Sequence, residues 1–184
     1  MHLLDGPAEG ARAVIVTHLE MTEADRIRFT SEIPGARLER IEHDKESVSS
    51  DFYRRVGGPW YWVDRLGWTD EQWREWTDRR EHHLWVMTVE GTEVGYVELE
   101  QQADGVVEIA YLGLLPGMTG SGRGGWLLGR GLEEAWALPG TQRVWVHTCD
   151  LDAPAALRNY EARGLRVFAR TVEWRATQPG TVAP

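Results

Sequence analysis

One glycine-rich stretch, Thr119-Gly-Ser-Gly122-Arg-Gly124-Gly125, decides the fold of this 184-residue chain. It lies between a strand-like run, Val106 to Leu115, and a helix-like run, Trp126 to Trp136. A glycine turn that leads into a helix leaves several backbone N–H groups without partners at the positive end of the helix dipole. Glycine also allows a ligand to approach the backbone closely, because it has no Cβ. The stretch therefore predicts a site for phosphate or pyrophosphate, and hence a nucleotide or coenzyme ligand.

Two known designs of phosphate-binding loop fit the flanking residues poorly. A P-loop needs Lys-Ser or Lys-Thr after its last glycine, whereas Trp126 follows Gly125 and no lysine occurs after Lys45. The dinucleotide fingerprint shares the Gly-x-Gly-x-x-Gly spacing of residues 120–125, but it turns directly off its strand, and residues 115–119 intervene here. About sixty residues remain downstream, too few for the further βα units of a dinucleotide domain.

The stretch and the strand before it resemble the acyl-CoA-binding motif of the GNAT superfamily of N-acetyltransferases. In that motif, Gln/Arg-x-x-Gly-x-Gly/Ala follows a strand that ends Leu-x-Val-x-Pro. Here the sequence reads Leu112-Gly-Leu114-Leu-Pro116 and then Thr119-Gly-Ser-Gly122-Arg-Gly124. Thr119 stands where the family usually has Gln or Arg, and Leu114 stands where it has Val.

A second resemblance to the same family follows downstream. GNAT enzymes continue with a strand and then a helix of the form Asn-x-x-Ala-x-x-x-Tyr-x-x-x-Gly-Phe. This chain has the strand Arg143 to Cys149, followed by Ala156, Tyr160, Gly164 and Leu165. The Tyr-x-x-x-Gly spacing is intact, whereas Ala153 occupies the Asn position. Together the two motifs extend the resemblance over residues 84–170.

The resemblance implies an α/β (α+β) fold with a mixed, largely antiparallel central sheet flanked by helices and a parallel strand pair around the acyl-CoA site. It also implies an N-acetyltransferase that moves an acetyl group from acetyl-CoA to a primary amine by direct attack in a ternary complex. The acceptor would be a small molecule or a peptide. The resemblance assigns contacts with the coenzyme to Leu112, Leu114, Thr119, Gly120, Ser121, Gly122, Arg123, Gly124 and Gly125.

Hydrophobic period and turn residues predict the remaining elements. Thr69 can cap a helix that has Asp70 and Glu71 in its first turn. Short turns at Glu90-Gly91 and Asp104-Gly105 predict an antiparallel meander, and the crossover through the helix after the glycines predicts a parallel strand pair. Strands are expected at residues 13–21, 36–42, 84–89, 94–100, 106–115, 143–149 and 166–174, and helices at 48–56, 69–79, 126–136 and 154–164.

Acyl transfer to an amine needs a proton acceptor for the ammonium and a proton donor for the leaving thiolate. Glu108 is the candidate base, because some GNAT members carry a glutamate base at this offset before the glycine motif; a solvent-facing glutamate paired with arginine is the alternative. Strand alternation would place residues 108, 110, 112 and 114 on one face. Tyr160 is the candidate donor, because GNAT enzymes commonly place one at this tyrosine; a core aromatic residue is the alternative.

The acceptor side is expected in residues 52–76, which hold eight aromatic residues. In the resembled fold this region covers the acceptor site. Trp60, Tyr61 and Trp62 follow a Gly-Gly-Pro break and are predicted to line the acceptor pocket from a loop, whereas Trp73 and Trp76 predict a small core. His147 is assigned to the acceptor side as well, and it is the base if Glu108 points away.

Composition limits the rest of the interpretation. With 42% hydrophobic residues, the chain can bury the core of a single domain over residues 1–184. Flexible tails are expected at about residues 1–12 and 176–184. A net charge of −9 argues against nucleic-acid binding and could favour a cationic acceptor. Cys149 is the one cysteine, and neither a leader nor a long apolar run is present, so a cytoplasmic location without membrane contact is expected. No metal is expected, and the sequence leaves open whether the chain forms a homodimer.

Two other classes of function stay open on the sequence. The literal glycine spacing fits an NAD-type dinucleotide-binding oxidoreductase, which would bind NAD rather than CoA. The departures at Thr119 and Ala153 fit a non-catalytic acyl-CoA sensor on the same fold, which would turn over no amine.

Overall fold

The computed structural model describes residues 11–176, and its centre is a single seven-stranded sheet. The strands are β1 (Ala11–Met21), β2 (Ala36–Arg40), β3 (His82–Val89), β4 (Thr92–Gln101), β5 (Val106–Leu114), β6 (Arg143–Cys149) and β7 (Arg166–Ala176). Their order across the sheet is β2-β3-β4-β5-β6-β1-β7. Every predicted strand is present, and the predicted ends are correct to within two residues.

Helices cover both faces of this sheet. Those among residues 11–176 are α1 (Lys45–Gly57), α2 (Asp70–Thr77), α3 (Arg123–Ala137) and α4 (Ala156–Ala162). Thr69 forms the predicted cap of α2: its side chain accepts a hydrogen bond from the Gln72 amide, and the Gln72 side chain accepts one from the Thr69 amide. We call the side covered by α3 and α4 the α3 face, and the side covered by α1 and α2 the α1 face.

The meander and the parallel pair agree with the prediction. β3, β4 and β5 pair antiparallel in sequence order. Glu90 and Gly91 have φ angles of 51° and 78°, as a tight two-residue hairpin turn requires. β5 and β6 are parallel, because the chain crosses over through α3 between them. The sheet is therefore mixed and largely antiparallel.

Apolar side chains fill the space between the helices and the sheet on both faces. On the α3 face, Leu128 and Leu132 are fully buried in the larger core, as the spacing of that helix predicts. On the α1 face, Phe52 stacks on Tyr96 with ring centroids 5.1 Å apart. No helix within residues 11–176 combines the length and apolar content that crossing a membrane requires.

The predicted tails fall mostly outside the described residues. Ala11, Arg12 and Ala176, at the edges of the expected tails, lie in β1 and β7. Ala11 pairs with Ala176, and Arg12 pairs with Arg175, so the two ends of the described chain form a ladder. Pairing between residues so distant in sequence leaves no local signal.

A β-bulge in β5 decides which way the candidate base points. Glu98 pairs with Tyr111 and Leu99 pairs with Ile109, so Ala110 is the extra residue of the bulge. Leu112 and Leu114 pack into the core on the α3 face, whereas Tyr111 packs on the α1 face. Glu108 alternates with the buried Ile109 and faces the α1 side. The prediction that residues 108, 110, 112 and 114 share one face is therefore wrong, because the bulge resets the alternation.

β5 and β6 separate soon after they start. Their pairing covers Val106 with Arg143, Val107 with Val144, and Glu108 with Trp145, and it continues no further among the described residues. Beyond Glu108 the backbone edge of β5 that faces β6 is therefore unpaired. The separation opens the sheet at its centre.

Candidate active site

A cavity of about 350 Å³ lies where β5 and β6 separate. This volume is within the range of about 300–1,000 Å³ that small-molecule sites occupy. Its walls come mainly from β5, β6, α4 and residues 60–65, and α1, α2, β4 and β7 contribute one residue each. Leu112 lines it, together with six side chains that the sequence analysis proposed from separate parts of the chain: Trp60, Tyr61, Trp62, Glu108, His147 and Tyr160.

The glycine stretch forms the turn that leads into α3. Gly120, Ser121 and Gly122 have φ angles of 93°, 51° and 74°, and Gly122 is the N-cap of the helix. A Cβ at Gly120 or Gly122 would meet no atom within 4 Å, so these positions face open space. Among the described residues, the amides of residues 120–122, 124 and 125 donate no hydrogen bond. The turn thus presents free N–H groups at a helix N-terminus, as an anion site requires.

Close packing fixes this turn against α4. A Cβ on Gly125 would lie 2.8 Å from Thr30 Cγ2 and 3.0 Å from Arg163 Nη1, so a larger residue would push the turn away. Asn159 Nδ2 donates a hydrogen bond to the Gly124 carbonyl at 3.1 Å. Asn159, which the sequence analysis did not single out, therefore ties the glycine turn to the helix that carries Tyr160.

The other predicted coenzyme residues differ in what they can offer a ligand. The Leu112 and Leu114 side chains are partly buried and pack against the core on the α3 face. Thr119 is exposed. The Arg123 Nη1 atom donates to the Met118 carbonyl at 3.4 Å, and its buried Nε atom has no partner among the described residues. Arg123 therefore keeps an unpaired donor beside the glycine turn.

Glu108 and His147 form a hydrogen-bonded pair across β5 and β6. His147 Nδ1 lies 3.3 Å from Glu108 Oε1, and Gln102 Nε2 donates to Glu108 Oε2 at 2.7 Å. Both carboxylate oxygens of Glu108 are thus engaged by the protein. The hydrogen bond to Glu108 raises the pKa of His147 above its usual value, because it stabilises the imidazolium.

This pairing changes the roles that the two residues can take. With Nδ1 held by Glu108, the remaining ring nitrogen of His147, Nε2, is the atom free to accept a proton. The His147 side chain is 41% exposed and the Glu108 side chain 13% exposed. In this arrangement the Glu108 carboxylate fixes the orientation of the His147 ring, and His147 is the more accessible of the two candidate bases.

Tyr160 lies on α4 and lines the same cavity as the Glu108–His147 pair. It is 8% exposed and packs with the core on the α3 face. Its hydroxyl has no hydrogen-bond partner that the described residues supply. Burial raises the pKa of the phenol, and the charge of Asp152 adds to the effect, so the hydroxyl stays protonated at neutral pH.

The three aromatic residues predicted to line the acceptor pocket all reach the cavity, but they are held differently. Trp60 ends a short 3-10 turn (Gly58–Trp60), and Tyr61 follows with φ 60°. Trp62 packs against Tyr53 and Tyr111, with ring centroids 5.7 and 5.0 Å away, and its Nε1 donates to Asp152 at 3.4 Å. Trp62 is thus a packed residue as well as a wall residue, because Gly57 leaves room for its ring. Trp73 is buried, as predicted.

Sequence reasoning missed five charged residues that line the cavity, and two of them, Asp152 and Arg65, shape its wall. Asp152 accepts hydrogen bonds from Thr148 Oγ1 at 2.7 Å and from the Cys149 amide at 2.9 Å, so it fixes the turn after β6. An aspartate shortly after a predicted strand is a signal for such a turn. Arg65 lies buried among aromatic rings. No local pattern distinguishes it from the other arginines of the aromatic segment.

A metal site finds no support in the part of the chain that the structure describes. Within residues 11–176, no three or more His, Cys, Asp and Glu residues are grouped so that they could hold a metal ion. Cys149 lines the cavity as a half-buried free thiol, and burial raises its pKa. A raised pKa keeps the thiol protonated, which disfavours a role as nucleophile.

Residues 49–165 match the sequence model of the acetyltransferase (GNAT) family. No curated protein matched the sequence. Among solved structures, a GCN5-related N-acetyltransferase from Kribbella flavida is similar, with a TM-score of 0.66 and 20% identity over 94% of this chain and 61% of that one. A GCN5-related N-acetyltransferase from Sphaerobacter thermophilus has a TM-score of 0.68 and 20% identity over 94% of this chain and 55% of that one. This chain therefore spans about three fifths or less of these structures.

The match to a third similar structure extends over most of that structure's length. An aminoglycoside acetyltransferase from an uncultured soil metagenomic sample has a TM-score of 0.58 and 16% identity, over 70% of this chain and 87% of that one. At these identities the structural matches establish the fold, and the family match establishes the family.

Proposed function

The chain belongs to the acetyltransferase (GNAT) family, and from that premise we propose that it transfers an acetyl group from acetyl-CoA to a primary amine. The observation that carries this proposal is the cavity at the separation of β5 and β6, with the Glu108–His147 pair and Tyr160 on its walls. These groups are the proton acceptor and donor that direct transfer in a ternary complex requires. The fold gives no support to a dinucleotide-binding oxidoreductase, because its sheet is largely antiparallel.

The residues present fit acetyl-CoA as a substrate. The free amides of residues 120–122, 124 and 125 are donors suited to a pyrophosphate, and the Arg123 guanidinium adds positive charge beside them. The unpaired edge of β5 beyond Glu108 offers backbone groups that can bond the amides of the pantetheine arm. Leu112 and Ala156 contribute apolar wall to the same cavity. The acyl end would thereby reach the cavity between Tyr160 and His147.

In the proposed reaction the amine nitrogen forms a bond to the thioester carbonyl carbon, and the carbon–sulfur bond breaks. His147 Nε2 takes the proton that the ammonium must lose, and Glu108 holds the imidazole through Nδ1. The Tyr160 hydroxyl, kept protonated by burial, donates a hydrogen bond to the leaving thiolate. One similar structure is named for an aminoglycoside and another, from Escherichia coli, for an alanine of a ribosomal protein; both kinds of acceptor carry amines.

An amine-library screen monitored by thiol release from acetyl-CoA tests the proposal. We expect turnover with a subset of primary amines and a clear rise in melting temperature with acetyl-CoA. Stabilisation by NAD without stabilisation by CoA would support the dinucleotide alternative instead. Stabilisation by acetyl-CoA without turnover of any amine would support a non-catalytic sensor.

A further inference from the structure

Arg65 is a buried guanidinium enclosed by aromatic rings on the wall of the cavity. Its Cζ atom lies 3.7 Å from the ring centroid of Trp76 and 4.5 Å from the centroids of both Trp68 and Tyr111. The residue is 8% exposed. Ring faces attract the charge of a guanidinium and fix its plane, so Arg65 is held rigidly.

The hydrogen-bonding capacity of Arg65 is unused. Within residues 11–176 its guanidinium donates no hydrogen bond, and Nη1 is buried without a partner. The nearest carboxylate is Glu98, whose Oε2 lies 3.9 Å from Nη1. Glu98 already accepts hydrogen bonds from Ser49 and from Trp76 Nε1, and it pairs with His82 Nε2 at 3.1 Å. Glu98 therefore balances the charge of Arg65 but leaves its N–H groups free.

Most other charged groups around the cavity have partners; the Asp64 carboxylate has no hydrogen bond or ion pair among the described residues, but Asp64 is exposed to water. Glu100 accepts from Arg79 Nη1 at 2.7 Å, and Arg175 Nη2 donates to Glu173 at 3.0 Å. Glu108 is paired with His147. A buried guanidinium without hydrogen bonds is costly, because each unsatisfied donor has lost its water. Arg65 is thus the cavity group that most needs a partner from a ligand.

A planar guanidinium binds a carboxylate through two parallel hydrogen bonds. Building on the proposed function, we infer that Arg65 binds a carboxylate of the acceptor, so that the acceptor is an amine that also carries a carboxylate. The amine lies at the Glu108–His147 pair and the carboxylate at Arg65. Arg65 therefore determines specificity and takes no part in the proton transfer.

The strand register sets the distance between the two ends of the acceptor. Tyr111, on which Arg65 stacks, and Glu108 lie on the same side of β5 and are three residues apart. Because of the bulge at Ala110 they pair with Glu98 and Glu100, two residues apart on β4, so at about 3.3 Å per residue they are separated by about 7 Å along the sheet. An α-amino acid is too short to span it, whereas an ω-amino acid of about six carbons matches it. The acceptor class is therefore an amine separated from its carboxylate by a flexible chain.

A matched pair of acceptors tests this inference: 6-aminohexanoic acid, which has the carboxylate, and 6-aminohexanamide, which has a neutral amide of the same shape. We expect kcat/KM for the acid to exceed that for the amide by at least about tenfold, as a charged hydrogen-bonded pair gives. The preference should disappear in Arg65→Met, which keeps an unbranched apolar side chain against the rings. Equal use of acid and amide by the unsubstituted protein, or a preference that survives in Arg65→Met, overturns the inference.

Arg79→Met is the matched control variant. Arg79 also stacks on Trp76, with Cζ 4.0 Å from the ring centroid, but it is paired with Glu100 and does not line the cavity. Its replacement should leave the preference for the acid intact. Loss of the preference in both variants would show that Trp76 packing rather than a carboxylate contact is responsible, and would overturn the inference.

Calorimetric binding of the acid and the amide to the CoA-loaded protein separates this inference from the proposed function. Without turnover of any amine the proposed function fails, but tighter binding of the acid that is lost in Arg65→Met still supports the role of Arg65. Turnover of amines without tighter binding of the acid refutes the proposed role of Arg65 and leaves the proposed function intact. If Arg65→Met does not fold, Arg65→Lys replaces it in the test, because lysine keeps the charge but cannot form two parallel hydrogen bonds with a carboxylate. The preference for the acid over the amide should then fall. An unchanged preference counts against the inference.

Discussion

Replacing Glu108 with glutamine separates the two candidate bases. His147 has a raised pKa because Glu108 stabilises its protonated form. If His147 is the base, the reaction needs the neutral imidazole, so kcat/KM rises with pH through the pKa of His147. Glu108→Gln removes the stabilising charge, so the pKa of His147 falls and the rise in kcat/KM moves to lower pH. If Glu108 is the base, activity collapses instead and recovers partly at high pH, where free amine is available.

The geometry sets the sizes of the two effects. The Glu108–His147 pair is 3.3 Å long, but the His147 side chain is 41% exposed, so solvent screening limits the pair to about 1 kcal/mol or less. At a pH above the pKa of His147, Glu108→Gln should therefore lower kcat/KM by about fivefold or less, since a free-energy change of about 1.4 kcal/mol corresponds to a tenfold change in rate. Removing the general base itself, by His147→Gln, should cost about a hundredfold or more. The ratio of kcat/KM between the two variants therefore shows which residue is the base.

The assay is kcat/KM for a good amine from pH 5 to 10, combined with NMR titration of the His147 ring. His18→Gln is the control, because His18 lies 6.2 Å from the His147 ring but bonds Thr171. Melting temperatures give an independent check. A raised histidine pKa stabilises the fold below its ordinary value of about 6.5, and this contribution is lost as the pH rises through the raised pKa. A hundredfold loss in Glu108→Gln with rescue at high pH would refute His147 as the base.

Four further substitutions test the coenzyme and acceptor sides. Acetyl-CoA at a hundred times its Kd should stabilise the fold by about 2.7 kcal/mol in a thermal scan. Gly122→Asp should abolish this stabilisation, because it puts bulk and negative charge at the free amides. If acetyl-CoA raised the melting temperature of the variant equally, the turn would not be part of the coenzyme site. Tyr160→Phe should lower kcat by up to about a hundredfold while the Kd of acetyl-CoA stays the same, and an unchanged rate of the chemical step would exclude Tyr160. Trp62→Ala should lower the melting temperature by roughly 5–10 °C, since half-burial of a tryptophan is worth about 2–3 kcal/mol. Trp60→Ala should mainly raise the acceptor KM. Equal melting temperatures for the two variants would show that Trp62 is not packed.

The sequence determined the elements that depend on local chemistry. The Thr69 cap works because Thr69 and Gln72 are three residues apart, and the Glu90-Gly91 turn works because both positions accept positive φ. The glycine turn before α3 follows from the same kind of signal, since its exposed amides need only a strand, a turn and a helix in order. The family resemblance rested on the glycine motif and on the Tyr160-x-x-x-Gly164 spacing, and the match over residues 49–165 bears it out.

The tertiary structure decided what depends on contacts between distant residues. The bulge at Ala110 arises from the register with β4, and it turned Glu108 away from the side that strand alternation predicts. The pairing of Glu108 with His147 exists because β5 and β6 are neighbours in the sheet, 39 residues apart in sequence. Arg65 lies on the cavity wall because Tyr111 of β5 and Trp76 of α2 pack against it. Side-chain direction and pairing are set by register and packing, and these are properties of the assembled sheet rather than of any one segment.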